Sequence, residues 1–181
     1  ALLQTHRRQI ARGQAATKQL EVEANQLLAE ARAIAAGLKA DPVVMQWQGG
    51  AVAELENQIQ TAELRRTGIL PVPQNLKESL KDIRQRSQTI VETANAAQVK
   101  ADKRDYIADS IAQTLQEMGF NLTFRQAEHP DHPASAIILG ATSGSGKAIG
   151  VSVPIAGEVY YDVNGYAKQS TTTVEGGKVS V

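Results

Sequence analysis

Leu76-Lys77-Glu78-Ser79-Leu80-Lys81-Asp82-Ile83 opens a stretch that runs on to Met118 and decides how the chain folds. Apolar or small residues recur at Leu76, Leu80, Ile83, Ser87, Ile90, Ala94, Ala97, Ala101, Ala108, Ile111, Leu115 and Met118, and Arg104 alone is out of character. Steps alternating between four and three residues are the repeat of a coiled-coil seam. At ~1.5 Å per residue such a helix is roughly 65 Å long, more than one compact domain needs. Gly119 is placed to end it as a C-cap. From Phe120 the period changes to two, so the expected build is a helical rod followed by a small β-rich head.

Working back from that stretch, a second seam starts near the beginning of the chain. Leu3, Ile10, Thr17, Ala24, Ala31 and Leu38 occupy one position, and His6, Gly13, Leu20, Leu27 and Ile34 the other. Glu21, Glu23 and Glu30 flank its stronger half, as solvated edges of a coiled coil do. Asp41-Pro42 interrupts it with an N-cap residue followed by a proline suited to the first helical position. Met45, Val52 and Ile59 continue the frame of Leu38, with Leu55 and Ala62 beside them, so the expectation is one long arm kinked at Asp41-Pro42. Gly49-Gly50 weakens that arm, since each mid-helix Gly costs ~1 kcal/mol relative to Ala. Arg65-Arg66-Thr67-Gly68 closes it, and Ile69-Leu70-Pro71-Val72-Pro73 is a turn. Two arms joined by a short turn predict an antiparallel helical hairpin. The alternative is a three-helix bundle in which Asp41-Pro42 is a true turn.

Beyond Gly119, Phe120-Asn121-Leu122-Thr123-Phe124-Arg125 alternates like a strand with one buried face. Glu128-His129-Pro130-Asp131-His132-Pro133 reads as an extended, proline-stiffened loop. Ala136-Ile137-Ile138-Leu139, Ile149 to Pro154 and Glu158 to Val163 are further strands, joined by short Gly- and Ser-rich turns, and Asn164-Gly165 is a hairpin signal. Short connections predict an antiparallel meander. Ile107, Ile111, Leu115 and Met118 at the end of the long helix are expected to cover one of its faces. The fold class is therefore α+β. Residues 1–101 form the helical hairpin or coiled coil, 102–168 the head, and 169–181 a flexible tail or edge strand.

Composition narrows the function classes. Aromatic residues make up only 4% of the 181-residue chain, which suits long helices filled by Leu, Ile and Ala. Lys+Arg and Asp+Glu are both 19, so no global charge draws the chain to nucleic acid or an anionic membrane. With zero cysteines there is no disulfide scaffold and no thiolate metal site, which fits a reducing cytoplasm. No apolar run approaches the ~20 residues of a membrane span. The start at Ala1 and the stop at Val181 read as those of an excised piece of a longer protein.

Candidate chemistry is sparse. Gly140-Ala141-Thr142-Ser143-Gly144-Ser145-Gly146-Lys147 superficially suggests a phosphate-binding loop. Ala141 stands where that motif requires Gly, Ala148 where it requires a hydroxyl, and a strand follows instead of a helix. A hairpin tip is the better reading. His129, Asp131 and His132 could approach a divalent metal, but no second cluster completes the ligand set. No nucleophile elbow is present, so neither an enzyme nor a cofactor or metal site is expected.

The remaining signals concern contact. Trp47 is either packing at the helical interruption or a docking anchor. Glu158, Tyr160 and Asp162 would share one strand face, with the aromatic between two acids. Arg7, Arg8, Arg12 and Lys18 make a basic start with no acid before Glu21, able to touch phosphates. The expectation is a non-enzymatic assembly or adaptor protein that binds a protein partner, or itself, through the coiled coil and head. The alternative is a nucleic-acid-associated subunit that uses the basic first helix.

Overall fold

The computed structural model describes residues 2–66 and 73–165, with side chains at 4–64 and 75–165. The turn expected around Pro71 and the tail expected from Gln169 lie outside the described residues. Three helices, α1 (Leu2–Ala40), α2 (Pro42–Arg66) and α3 (Pro73–Glu117), precede four strands, β1 (Phe120–Ala127), β2 (Ile137–Ser143), β3 (Ala148–Val153) and β4 (Tyr160–Asn164). The chain divides into two compact units, Ala1–Gln98 and Val99–Val181, and α3 contributes residues to both.

The first unit is the three-helix alternative, and the long kinked arm does not exist. Asp41 turns the chain. Its carboxylate accepts hydrogen bonds from the Val43 and Val44 amides at 2.9 and 3.2 Å, and Pro42 occupies the first helical position. This N-cap satisfies donors that a continuous helix would have satisfied itself. Ion pairs give the directions: Arg32–Glu63 and Lys39–Glu56 set α2 antiparallel to α1, while Lys77–Glu23 and Arg84–Glu30 set α3 parallel to α1. Glu54–Arg86 and the 2.8 Å bond from Trp47 Nε1 to Gln98 Oε1 set α2 against α3.

Val52, Leu55 and Ile59 of the expected frame are buried, but beside the turn Val44 is buried where that frame predicts Met45, which is exposed. Gln48, with φ −134° and ψ 20°, kinks α2 just before Gly49-Gly50, a pair that leaves the backbone free to bend. Ala31, Ala35, Leu38, Val44, Val52, Leu55, Ile59, Leu80, Ile83, Ile90 and Ala94 make the core. Leu27 and Ile34 pack at its margin. The buried stripe of α1 is thus wider than a two-stranded seam, because two neighbours must be covered.

The second unit is the expected antiparallel meander, in the order β1-β2-β3-β4. Gly119, at φ +85°, ends α3 in the left-handed region and turns the chain into β1. Ala108, Ala112 and Leu115 of α3 bury one sheet face with Phe120, Ile137, Leu139, Ala141, Val151 and Val153. Ile107 and Ile111 are partly buried beside them, whereas Met118 is 65% exposed and covers nothing. The simple alternation expected in β1 also fails. Leu122 pairs with Ala141 and Phe124 with Gly140, so Thr123 is an extra residue in a bulge. A bulge shifts all later side chains to the opposite faces. Phe124 therefore lies on the outer face, over Gly140, and Arg125 comes to the helix side, where it pairs with Asp109 at 2.7 Å.

Candidate functional site

Among the described residues β4 is a terminal strand of the sheet, and all five of its residues are exposed. Its sequence, Tyr160-Tyr161-Asp162-Val163-Asn164, combines aromatic and β-branched residues that favour a pleated surface. Gly165, at φ +80°, turns the chain out of the strand. Asp162 pairs with Gly150 and Tyr160 with Ser152, which places both on the outer face with Phe124. Tyr161 and Val163 pair with Val151 and Ile149 on the helix-side face. Even there they remain 60% and 46% exposed, because the cover from α3 does not extend over β4. Tyr160 is 66% exposed. The strand thus offers aromatic surface on both faces, and among the described residues no further strand pairs with its outer edge.

The sequence-derived residues are dispersed. Tyr160 and Asp162 share a face as expected, but Glu158 lies before the strand begins and is exposed. An alternation argument holds only inside a strand, and Glu158 falls in the irregular segment between the bend at residues 155–157 and β4. Trp47 is half-buried against the helical core and anchored by Gln98, an arrangement that packs the bundle. Arg7, Arg8, Arg12 and Lys18 are exposed along the first turns of α1.

The loop between β1 and β2 is not extended. The amides of His132 and Ser135 donate to the carbonyls of His129 and His132, which makes two successive turns. The His129 and His132 rings stand edge to face, with centroids 6.3 Å apart. Among the described residues no group of three or more His, Asp or Glu is placed to hold a metal ion. This loop is pinned by Arg104, the residue out of character in the seam. Its side chain is only 8% exposed, and its Nη1 donates to the carbonyls of Pro133 (2.8 Å) and Ser135, while Nε pairs with Asp105. Sequence reasoning passed over Arg104. The signal was its position on the buried stripe, where a cation must find buried acceptors.

The Gly/Ser turn is closed on itself. The Gly146 amide donates to the Ser143 carbonyl, and the Ser143 amide to that of Lys147. The Lys147 amide reaches the Ser143 hydroxyl. These amides are spent on the hairpin and do not form a phosphate cradle. In the first unit a groove of about 900 Å³ opens between α2 and α3. Asn57, Thr61, Asp82, Arg86 and Thr93 line it above Ile83 and Ile90. Elsewhere on that unit, Arg32 is held above its ordinary pKa, first by the hydrogen bond to Glu63 and then by that carboxylate's charge. It is therefore a fixed cation in a helix-to-helix pair.

No protein-family model matches this chain, and neither a search of curated proteins nor one of solved structures finds a similar one. Among the described residues, no helix is long and apolar enough to cross a membrane.

Proposed function

We propose that this chain is a non-enzymatic assembly or adaptor protein, whose helical unit sets spacing or self-associates and whose β-rich head grips a protein partner. The observation that supports this reading is β4, the terminal strand among the described residues, with Tyr160, Tyr161 and Val163 all exposed. Exposed edge strands template pairing with another chain, and natural proteins usually blunt them. Added strands gain main-chain hydrogen bonds along the edge and specificity from alternate side chains. Tyrosines are enriched at such contacts because they bring large area with little conformational freedom to lose.

Asp162 in the middle of β4 disfavours symmetric pairing with a second β4, which would place like charges opposite each other. A partner strand bearing Lys or Arg fits better. The cysteine-free sequence is compatible with a cytoplasmic setting for this role.

The test is affinity capture from the source organism, coupled to light scattering of the purified chain. The wild type should retain a protein that a Tyr160→Ala/Tyr161→Ala variant releases and a distal Lys81→Ala variant keeps. A chain that stays monomeric at high concentration and captures nothing contradicts the proposal, as does capture indifferent to both tyrosines.

A further inference from the structure

Apart from Lys81, exposed on α3 and in no ion pair with a described residue, the described cations of the first unit fall into two groups. Arg32, Lys39, Lys77, Arg84 and Arg86 each pair with a carboxylate on a neighbouring helix. Arg7, Arg8, Arg12 and Lys18 are exposed and make no ion pair with any described residue. The difference follows from the helix directions. Glu23 of α1 lies level with Lys77, near the start of α3, so the part of α1 before residue 18 reaches past the described start of α3. Its described side chains are exposed from Gln4 to Ala16, whereas burial begins in earnest at Ala24. We infer that this arm of α1, residues 4–18, is a binding site for duplex nucleic acid, which it holds through the phosphates.

The arrangement on the arm carries the argument. At about 100° per residue, Arg7 and Lys18 project roughly 20° apart, Arg8 and Arg12 roughly 40° apart, and all four fall within an arc of roughly 140°. Between the two pairs lie Gln4, Ala11 and Ala15, which are small or amide side chains. A helix is ~10–12 Å across and a major groove about 12 Å wide. Lying in that groove, the arm would offer one cationic pair to each flanking phosphate strand. The alanines would permit close approach, and Gln4 could meet base edges. Asp and Glu do not occur before Glu21.

Other polyanion surfaces fit less well. Helices that dock in protein grooves present apolar anchors at successive turns, and those that lie on membranes present Trp, Phe or Leu along one face. Between Gln4 and Gln19 the arm has Ile10 as its one large apolar residue. Single-strand binding needs stacking platforms, and no Phe, Tyr or Trp lies before Trp47.

Fluorescence anisotropy of a labelled mixed-sequence 20-base-pair DNA duplex, titrated with the full chain across a salt series, tests this. Four phosphate contacts predict a slope of log affinity against log salt near −3.6, or about a 150-fold loss between about 50 and 200 mM salt. Arg7→Gln/Arg8→Gln/Arg12→Gln should flatten the slope to about −0.9 with the thermal melt unchanged. Lys18→Gln alone should reduce its magnitude by about 0.9, which keeps the test decisive if the triple variant folds poorly. No binding at low salt overturns the inference. So does a salt slope that neither variant changes, or binding to phosphatidylserine vesicles without binding to the duplex.

Discussion

The two ends of α3 carry the same periodicity and bury it against different things. From Leu80 to Ile90 the stripe is Leu80, Ile83 and Ile90, large side chains that pack with the helices of the first unit, and it tapers to Ala94. From Ala108 to Leu115 it is Ala108, Ala112 and Leu115, with smaller residues under a sheet. A sheet face brings its own Leu139, Val151 and Val153 into the layer, so alanines suffice on the helix. Opposing helices leave more space between axes, and Leu and Ile fill it. A seven-residue repeat therefore says that a face is buried, but not what buries it.

Truncation at either end breaks this comparison most severely. Leu115→Ala and Ile90→Ala should each cost about 2–5 kcal/mol, as buried large-to-small changes do. Urea melts followed by backbone NMR should report the loss in the sheet for Leu115 and in the helical core for Ile90. Equal loosening of both cores by either change would show that the stripe is one continuous structure.

The bulge in β1 makes the next sharpest claim. A Cβ at Gly140 would lie 2.3 Å from Phe124 Cε1 and 2.9 Å from Thr123 Oγ1, so Gly140→Ala should cost about 1–3 kcal/mol by overpacking. Most of that loss should vanish in the Phe124→Ala background, measured as a double-mutant cycle. Additive losses would mean that Phe124 does not cover Gly140. Arg104→Ala leaves the Pro133 and Ser135 carbonyls without their donor and should cost about 1–3 kcal/mol, read as faster amide exchange in residues 128–136. Asp41→Ala is the smallest of the set, about 1 kcal/mol from a lost N-cap, measurable as a lowered melting temperature.

Much of this architecture was legible in the residues. The α3 stripe as far as Leu115, the change from helix to strand at Phe120, the Gly119 cap and the meander order all follow from local physics, and each is present. The Asp41-Pro42 turn was legible as a cap but not as a reversal, because Leu38, Met45 and Val52 fit a continuous frame by spacing alone. Adjacent pairs such as Leu27-Leu28 and Ile34-Ala35 were the better guide, since only a helix with two neighbours needs a stripe that wide. The bulge at Thr123 had no local signal. It is a tertiary solution that brings Arg125 to Asp109 and lays Phe124 on a glycine. The proposed contact surface was half legible: Tyr160 and Asp162 share a face as expected, but the exposure of Tyr161 and Val163 depends on where the helix stops covering the sheet.

The central claim is that the last turns of α3 are a layer of the head's core and not a tether to it. An open meander with one apolar face uncovered is not stable alone. The decisive measurement compares the thermal melts and amide NMR spectra of two fragments, residues 99–181 and 120–181. The account predicts dispersed signals and a cooperative melt for the first, and collapsed signals without a transition for the second. A cooperative melt and dispersed spectrum from residues 120–181 would contradict it.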